Sequence, residues 1–291
     1  MAACRAPQLV DAPPPPAPPA AAPPPLRPSA QPAASAAPVD RGQSPAAAGP
    51  LVARGVALPA APTAAVAVLR VHEGRTLVPL ACALGGALVA RDACLPGLPV
   101  DAEVQLLGGG AARLGARQTS ECAPSGESVV GLAIRGAAGP TGEWAVTGQV
   151  QVKTWDLSIP PEVAVDVRAR LQAALRSAAP SVRGPLRIDQ ALEVDLDADG
   201  VPERLYVVHV AASDEDPAPR FSGILQDDGV RARVLTRDDQ HLFTVLGALD
   251  LDGDGRAELV LRAAYSEGDE TAVVHLEDGS LVVIGAWGCG A

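Results

Sequence analysis

The 291-residue sequence predicts a mainly β protein with one helix: a small β-rich domain followed by two four-stranded β repeats, behind a Pro/Ala-rich N-terminus expected to be disordered. Three observations predict it. Residues 1–62 hold 17 of the 29 prolines and 20 alanines with almost no large apolar side chains, too little to offset the entropy of ordering. Residues 63–157 carry short apolar runs broken by Gly and Pro, the pattern of short strands. Beyond residue 186 the chain repeats itself, with Asp195-Leu-Asp-Ala-Asp-Gly-Val-Pro-Glu203 lying over Asp250-Leu-Asp-Gly-Asp-Gly-Arg-Ala-Glu258 at an offset of 55.

The first segment, 1–62, is expected to act as a tether, because dense proline favours an extended, semi-rigid polyproline backbone. The β-rich domain, 63–157, has strand candidates at Ala65–Val71, Glu103–Leu107, Ser128–Ile134 and Glu143–Lys153. A helix and linker fill 158–185. Its helix is expected over Pro161–Ala178, with Val163, Val167, Leu171, Ala174, Leu175 and Ala178 on one face and Pro180 as the stop. Glu162, Asp166 and Arg170 read as a solvated stripe on the other face.

The repeats occupy 186–291. Each acidic loop is entered by an apolar strand (Ala191–Val194; Phe243–Leu249) and left by another (Arg204–Val210; Glu258–Ala264). Two more strands follow in each copy, Arg220–Leu225 with Val230–Leu235 and Thr271–Leu276 with Leu281–Ile284, turning at Asp228-Gly229 and Asp278-Gly279. Asp-Gly is a strong hairpin signal.

Carboxylates at loop positions one, three, five and nine, with glycine at six for the sharp turn, wrap oxygens around one point. The expected ligands are Asp195, Asp197, Asp199, the Val201 carbonyl and Glu203, then Asp250, Asp252, Asp254, the Arg256 carbonyl and Glu258. An all-oxygen set of this size suits Ca2+ better than Mg2+, and the lack of clustered His or Cys disfavours zinc. An EF-hand needs an acid at position twelve, where this sequence has Tyr206 and Leu261.

At these loop residues the sequence resembles the FG-GAP and VCBS repeat families, including the calcium loops of integrin α-subunit propellers. The likeness covers about 100 residues. The Phe-Gly and Gly-Ala-Pro signatures are absent, and position nine is Glu where Asp is common. The resemblance implies adhesion or extracellular interaction, with a protein or glycan surface as partner. Two units are too few to close a propeller, so a small open or packed arrangement braced by the helix is expected.

Met1-Ala2-Ala3-Cys4 ahead of a Pro-rich spacer looks like the end of a bacterial lipoprotein signal. Cys4 is the expected lipidation site, on a start placed downstream of the true one. Membrane attachment is then expected only through that lipid. Cys82, Cys94, Cys122 and Cys289 are disulfide candidates in an extracytoplasmic setting, with the pairing open. If Gly85-Gly86 makes a tight hairpin, Cys82 faces Val89, and a bridge to Cys94 is expected to need a different turn. The alternative is a cytoplasmic protein that lacks a signal.

The net charge is −11, and residues 189–291 carry 22 acidic and seven basic groups, a local −15. Such a surface repels phosphates and argues against nucleic acid. No nucleophile elbow, zinc-protease helix, Walker loop or dinucleotide turn occurs. The chain is therefore expected to be non-catalytic. Two alternatives remain: a carbohydrate-binding accessory module of a hydrolase system, with Trp144 or Trp155 as a sugar platform, and a cytosolic enzyme of unrecognised type.

Overall fold

Thr76–Leu84 is buried along almost its whole length, and two covered faces are what make its sequence an unbroken apolar run. The computed structural model describes residues 64–108, 110–122, 126–136, 142–155, 157, 161–211 and 219–290. The expected tether and Cys4 lie outside the described residues. Strands β1 (Ala64–His72), β2 (Thr76–Leu84), β3 (Ala87–Ala90), β4 (Glu103–Leu106), β5 (Gly110–Cys122), β6 (Glu127–Arg135) and β7 (Trp144–Thr147) form one antiparallel sheet in the order β1-β7-β4-β5-β6-β2-β3. Because β1 also pairs with β2, six of these strands close into a barrel, and β3 hangs on the outer half of β2. Leu69, Leu77, Leu114 and Leu132 fill its interior.

The expected strand Glu143–Lys153 is shorter. It ends at Thr147, where Gly148 turns to φ 77°, and Lys153 makes only a single bridge to Ala248. A second helix, α1 (Arg91–Cys94), follows β3 and runs into a 3-10 turn, Leu95–Gly97. The long helix, α2 (Val165–Ala178), begins four residues later than expected, after Ala164 with its extended ψ of 149°. Pro161 and the residues up to Ala164 precede it in non-helical backbone.

The repeated region makes two four-stranded meanders: β8 (Arg187–Val194), β9 (Glu203–Ala211), β10 (Pro219–Asp227) and β11 (Ala232–Asp238), then β12 (Leu242–Leu249), β13 (Glu258–Tyr265), β14 (Gly268–Glu277) and β15 (Ser280–Gly290). Asp278-Gly279 forms a two-residue turn with φ of 49° and 77°, both left-handed. Its counterpart is looser, because Asp227 pairs with Ala232 and leaves residues 228–231 in the connection.

Alternation along the strands sorts side chains into separate layers. From β9, Leu205 and Val207 face the second meander while Tyr206, Val208 and Val210 face α2. From β13, Leu259 and Leu261 face the first meander while Val260 faces the barrel wall of Val68, Val78, Leu80 and Val146. The result is a stack of helix, sheet, sheet and barrel in which both outward faces of the paired meanders are covered. β15 crosses β2 so closely that a Cβ on Gly285 would lie 1.9 Å from the Leu80 carbonyl oxygen.

The barrel side of the stack is also cross-linked. Cys122 of β5 is bonded to Cys289 of β15 across 167 residues. The Arg70 guanidinium pairs with Asp269, donates to the Thr271 hydroxyl at 2.9 Å and lies 5.6 Å from the Trp287 ring centre. The second bridge joins Cys82 to Cys94, and here the expectation fails. Gly85-Gly86 does make a tight hairpin and Cys82 does face Val89. No different turn is needed, because α1 folds the chain back and returns Cys94 to β2. Two disulfides fit an oxidising compartment. No helix among the described residues is long and apolar enough to cross a membrane.

Candidate metal centre

Both acidic loops connect the first strand of a meander to the second, and each is pinned by a buried leucine at position two, Leu196 and Leu251. Their hydrogen bonds repeat at the offset of 55. In the first loop Asp195 accepts from the Ala198 N–H at 2.8 Å through Oδ1 and from the Gly200 N–H at 3.0 Å through Oδ2. In the second Asp250 accepts from Gly253 at 2.7 Å and Gly255 at 3.0 Å through the same atoms. Asp197 and Asp252 each accept from the residue two further on at 3.2 Å. Asp199 accepts from the Val201 N–H at 2.7 Å, and Asp254 from the Arg256 N–H at 2.8 Å. Side chain thus dictates backbone: each aspartate captures amides ahead of it and curls the chain around the carboxylates.

The curl brings three carboxylates together in each loop, with one oxygen from each of Asp195, Asp197 and Asp199, and of Asp250, Asp252 and Asp254, within 4.8 Å of one another. The ninth-position glutamates staple the loop from its far end. Glu203 Oε2 accepts the Leu196 N–H and Glu258 Oε2 the Leu251 N–H, both at 2.7 Å. Position twelve lies within strands β9 and β13, as Tyr206 and Leu261, both buried.

Electrostatics differ between the copies. Glu258 is 2% exposed, and burial, with Asp252, Asp254 and Asp250 nearby, pushes its carboxyl up to about 7 against the pull of the Leu251 N–H. Burial also raises Glu203, which is only half-buried. The two loops touch. The Ala257 N–H donates to the Asp195 carbonyl at 3.1 Å, and a Cβ on Gly255 would lie 3.3 Å from that of Ala198.

Arg170 is not the solvated residue its helix stripe suggests. Its guanidinium grips Asp227 with bonds of 2.7 and 2.8 Å and reaches Asp166 at 2.9 Å, and these carboxylates hold it firmly protonated. The Asp227 side chain is 0% exposed. Nothing local in the sequence signals this pair, since its members are 57 residues apart. Trp144 and Trp287 do not form an exposed sugar platform. Trp144 is buried under Gly247 and Trp287 under Arg70, while Trp155 is half-buried beneath Lys153.

Compared with protein-family models, curated proteins and solved structures, the chain matches none.

Proposed function

We propose that this is a non-catalytic, extracytoplasmic, calcium-binding β-repeat protein, tethered through its N-terminal segment and Cys4, that presents a binding surface to a protein or glycan partner. One observation carries the reading: the same hydrogen-bond scheme, drawn twice, gathers three aspartates at one point. Clustered carboxylates repel each other by roughly 1 kcal/mol per close pair even at the dielectric of water, and a divalent cation removes that cost. All available donors are oxygens, which suits a hard cation such as calcium. Asp195, Asp197, Asp199, the Val201 carbonyl and Glu203 would hold one ion, and Asp250, Asp252, Asp254, the Arg256 carbonyl and Glu258 the other. The chemistry such an ion supplies is charge neutralisation, so its effect falls on stability.

Calorimetric titration with calcium chloride tests this, with two sites expected. Each should add about 2.7 kcal/mol of stability at free calcium a hundredfold above Kd. No heat, and the same melting curve in EDTA as in calcium, would refute it.

A further inference from the structure

The two acidic loops and the strands that enter them, β8 and β12, are fastened to each other at three levels. Five residues before position one of each loop, the Gln190 amide, 7% exposed, donates to the Val245 carbonyl at 3.0 Å and accepts the Val245 N–H at 2.7 Å. Gln190 and Val245 are themselves one repeat apart. Two residues before position one, Lys153 joins the equivalent residues Ala248 and Glu193. Its backbone exchanges bonds of 2.8 and 2.9 Å with Ala248, and its ammonium donates to the Glu193 carbonyl. Between the loops themselves, the Ala257 N–H donates to the Asp195 carbonyl at 3.1 Å.

The third link runs one way. Ala257 stands at position eight of its loop, and its counterpart in the first loop is Pro202, which has no N–H to return. Asp195 is an expected ligand of the first ion. Ala257 lies between two expected ligands of the second, the Arg256 carbonyl and Glu258. One backbone bond therefore connects both ligand sets, and the Gln190 and Lys153 clasps hold the strands beneath it in register.

We infer that the two loops form one cooperative calcium-binding unit, in which filling either loop raises the affinity of the other through the Ala257–Asp195 bond. The inference rests on the reading of both loops as calcium sites. Fixing Asp195 around an ion fixes the Ala257 amide and with it the two flanking ligands, so the second ion meets a loop whose ordering cost has partly been met. The coupling acts equally in both directions, as linkage requires. Direct repulsion between the ions is weakened, since each loop carries four carboxylates and stays negative with an ion in it.

The test is titration of the whole protein with calcium chloride in competition with a chromophoric chelator, which yields two stepwise constants. After statistical correction the second ion is expected to bind about fivefold or more tightly than the first. Ala257→Pro removes the N–H and puts at position eight the residue the first loop already has there. Two ions should still bind to this variant, with the excess reduced below about twofold. Its melting point in EDTA should fall by only about 2–4 °C, the effect of one lost hydrogen bond. If the variant does not fold, an ester in place of the Ala257 amide, made by incorporating lactic acid at that position, removes the same N–H and takes its place. Independent sites, a second ion weaker than the first, or coupling that survives loss of the N–H each overturns the inference and leaves the calcium reading standing. So does a variant that binds one ion only, which would make Ala257 a support of its own loop alone. Absence of any calcium binding by the parent overturns the calcium reading itself, and the inference with it.

Discussion

The two meanders share a strand order and a loop, yet they are held in place differently. The second is fastened to the barrel by the Cys122–Cys289 bridge and the Arg70 cluster. The first carries a helix on its outer face, fixed by one buried ion pair, Arg170 with Asp227. The end of β10 and the end of β14 put the contrast in a single position. Asp227 is buried and clamped, whereas Glu277 is exposed. A duplicated sequence reproduces local backbone, and the neighbours it meets decide which copies of a residue acquire a structural task.

The largest expected effect falls on the barrel side. Replacing Cys122 and Cys289 by alanine opens a loop spanning 167 residues. By the chain-entropy relation this should cost about 5 kcal/mol, measured as a lower midpoint in urea. On the helix side, stranding the fully buried Asp227 carboxylate should cost about 3–5 kcal/mol. Arg170→Leu does so, while Glu277→Ala at the matching site should change the urea midpoint by less than about 0.5 kcal/mol. Equal effects of the two substitutions would erase the contrast.

The loops sharpen it further. In EDTA, the folded pKa of Glu258, about 7, lies above the ordinary 4.5, so the folded state holds the proton more tightly. The stabilisation is fully present below about pH 4.5 and is lost as pH rises through 7, an amount of about 3 kcal/mol. Unfolding at a series of pH values should show that slope, Glu258→Gln should flatten it, and Glu203→Gln should alter it less.

The smallest effect concerns loop position four, where Ala198 has φ 63° and Gly253 has φ 84°. A left-handed alanine costs about 1–2 kcal/mol, partly offset by its lower entropy in the unfolded chain. Ala198→Gly should stabilise, and Gly253→Ala destabilise, by about 0.5–1 kcal/mol in thermal melts. Reversal of either sign would show that the two loops are not backbone equivalents.

Local features were readable from the residues. The Asp-rich turns, the Asp278-Gly279 hairpin and the apolar face of α2 are each encoded within a few positions. The closed barrel was not, because its closure depends on pairings between distant strands, such as Leu77 with Leu132. The sequence does not mark β5 either, since Gly110–Cys122 mixes buried and exposed positions along a chain of polar and small residues. Cys94 could not be paired in advance because a single helical turn, too short to leave a periodic signal, redirects the chain. The tasks of Asp227 and Arg70 depend on partners far along the chain.

Because α2 lies on one side of the paired meanders and the barrel on the other, the array has bookends. A further duplication of the unit would have no surface to stack on unless the helix or the barrel were evicted. Within this fold a third unit has no free face of the pair to stack on, which leaves the rims and connections as the places open to change.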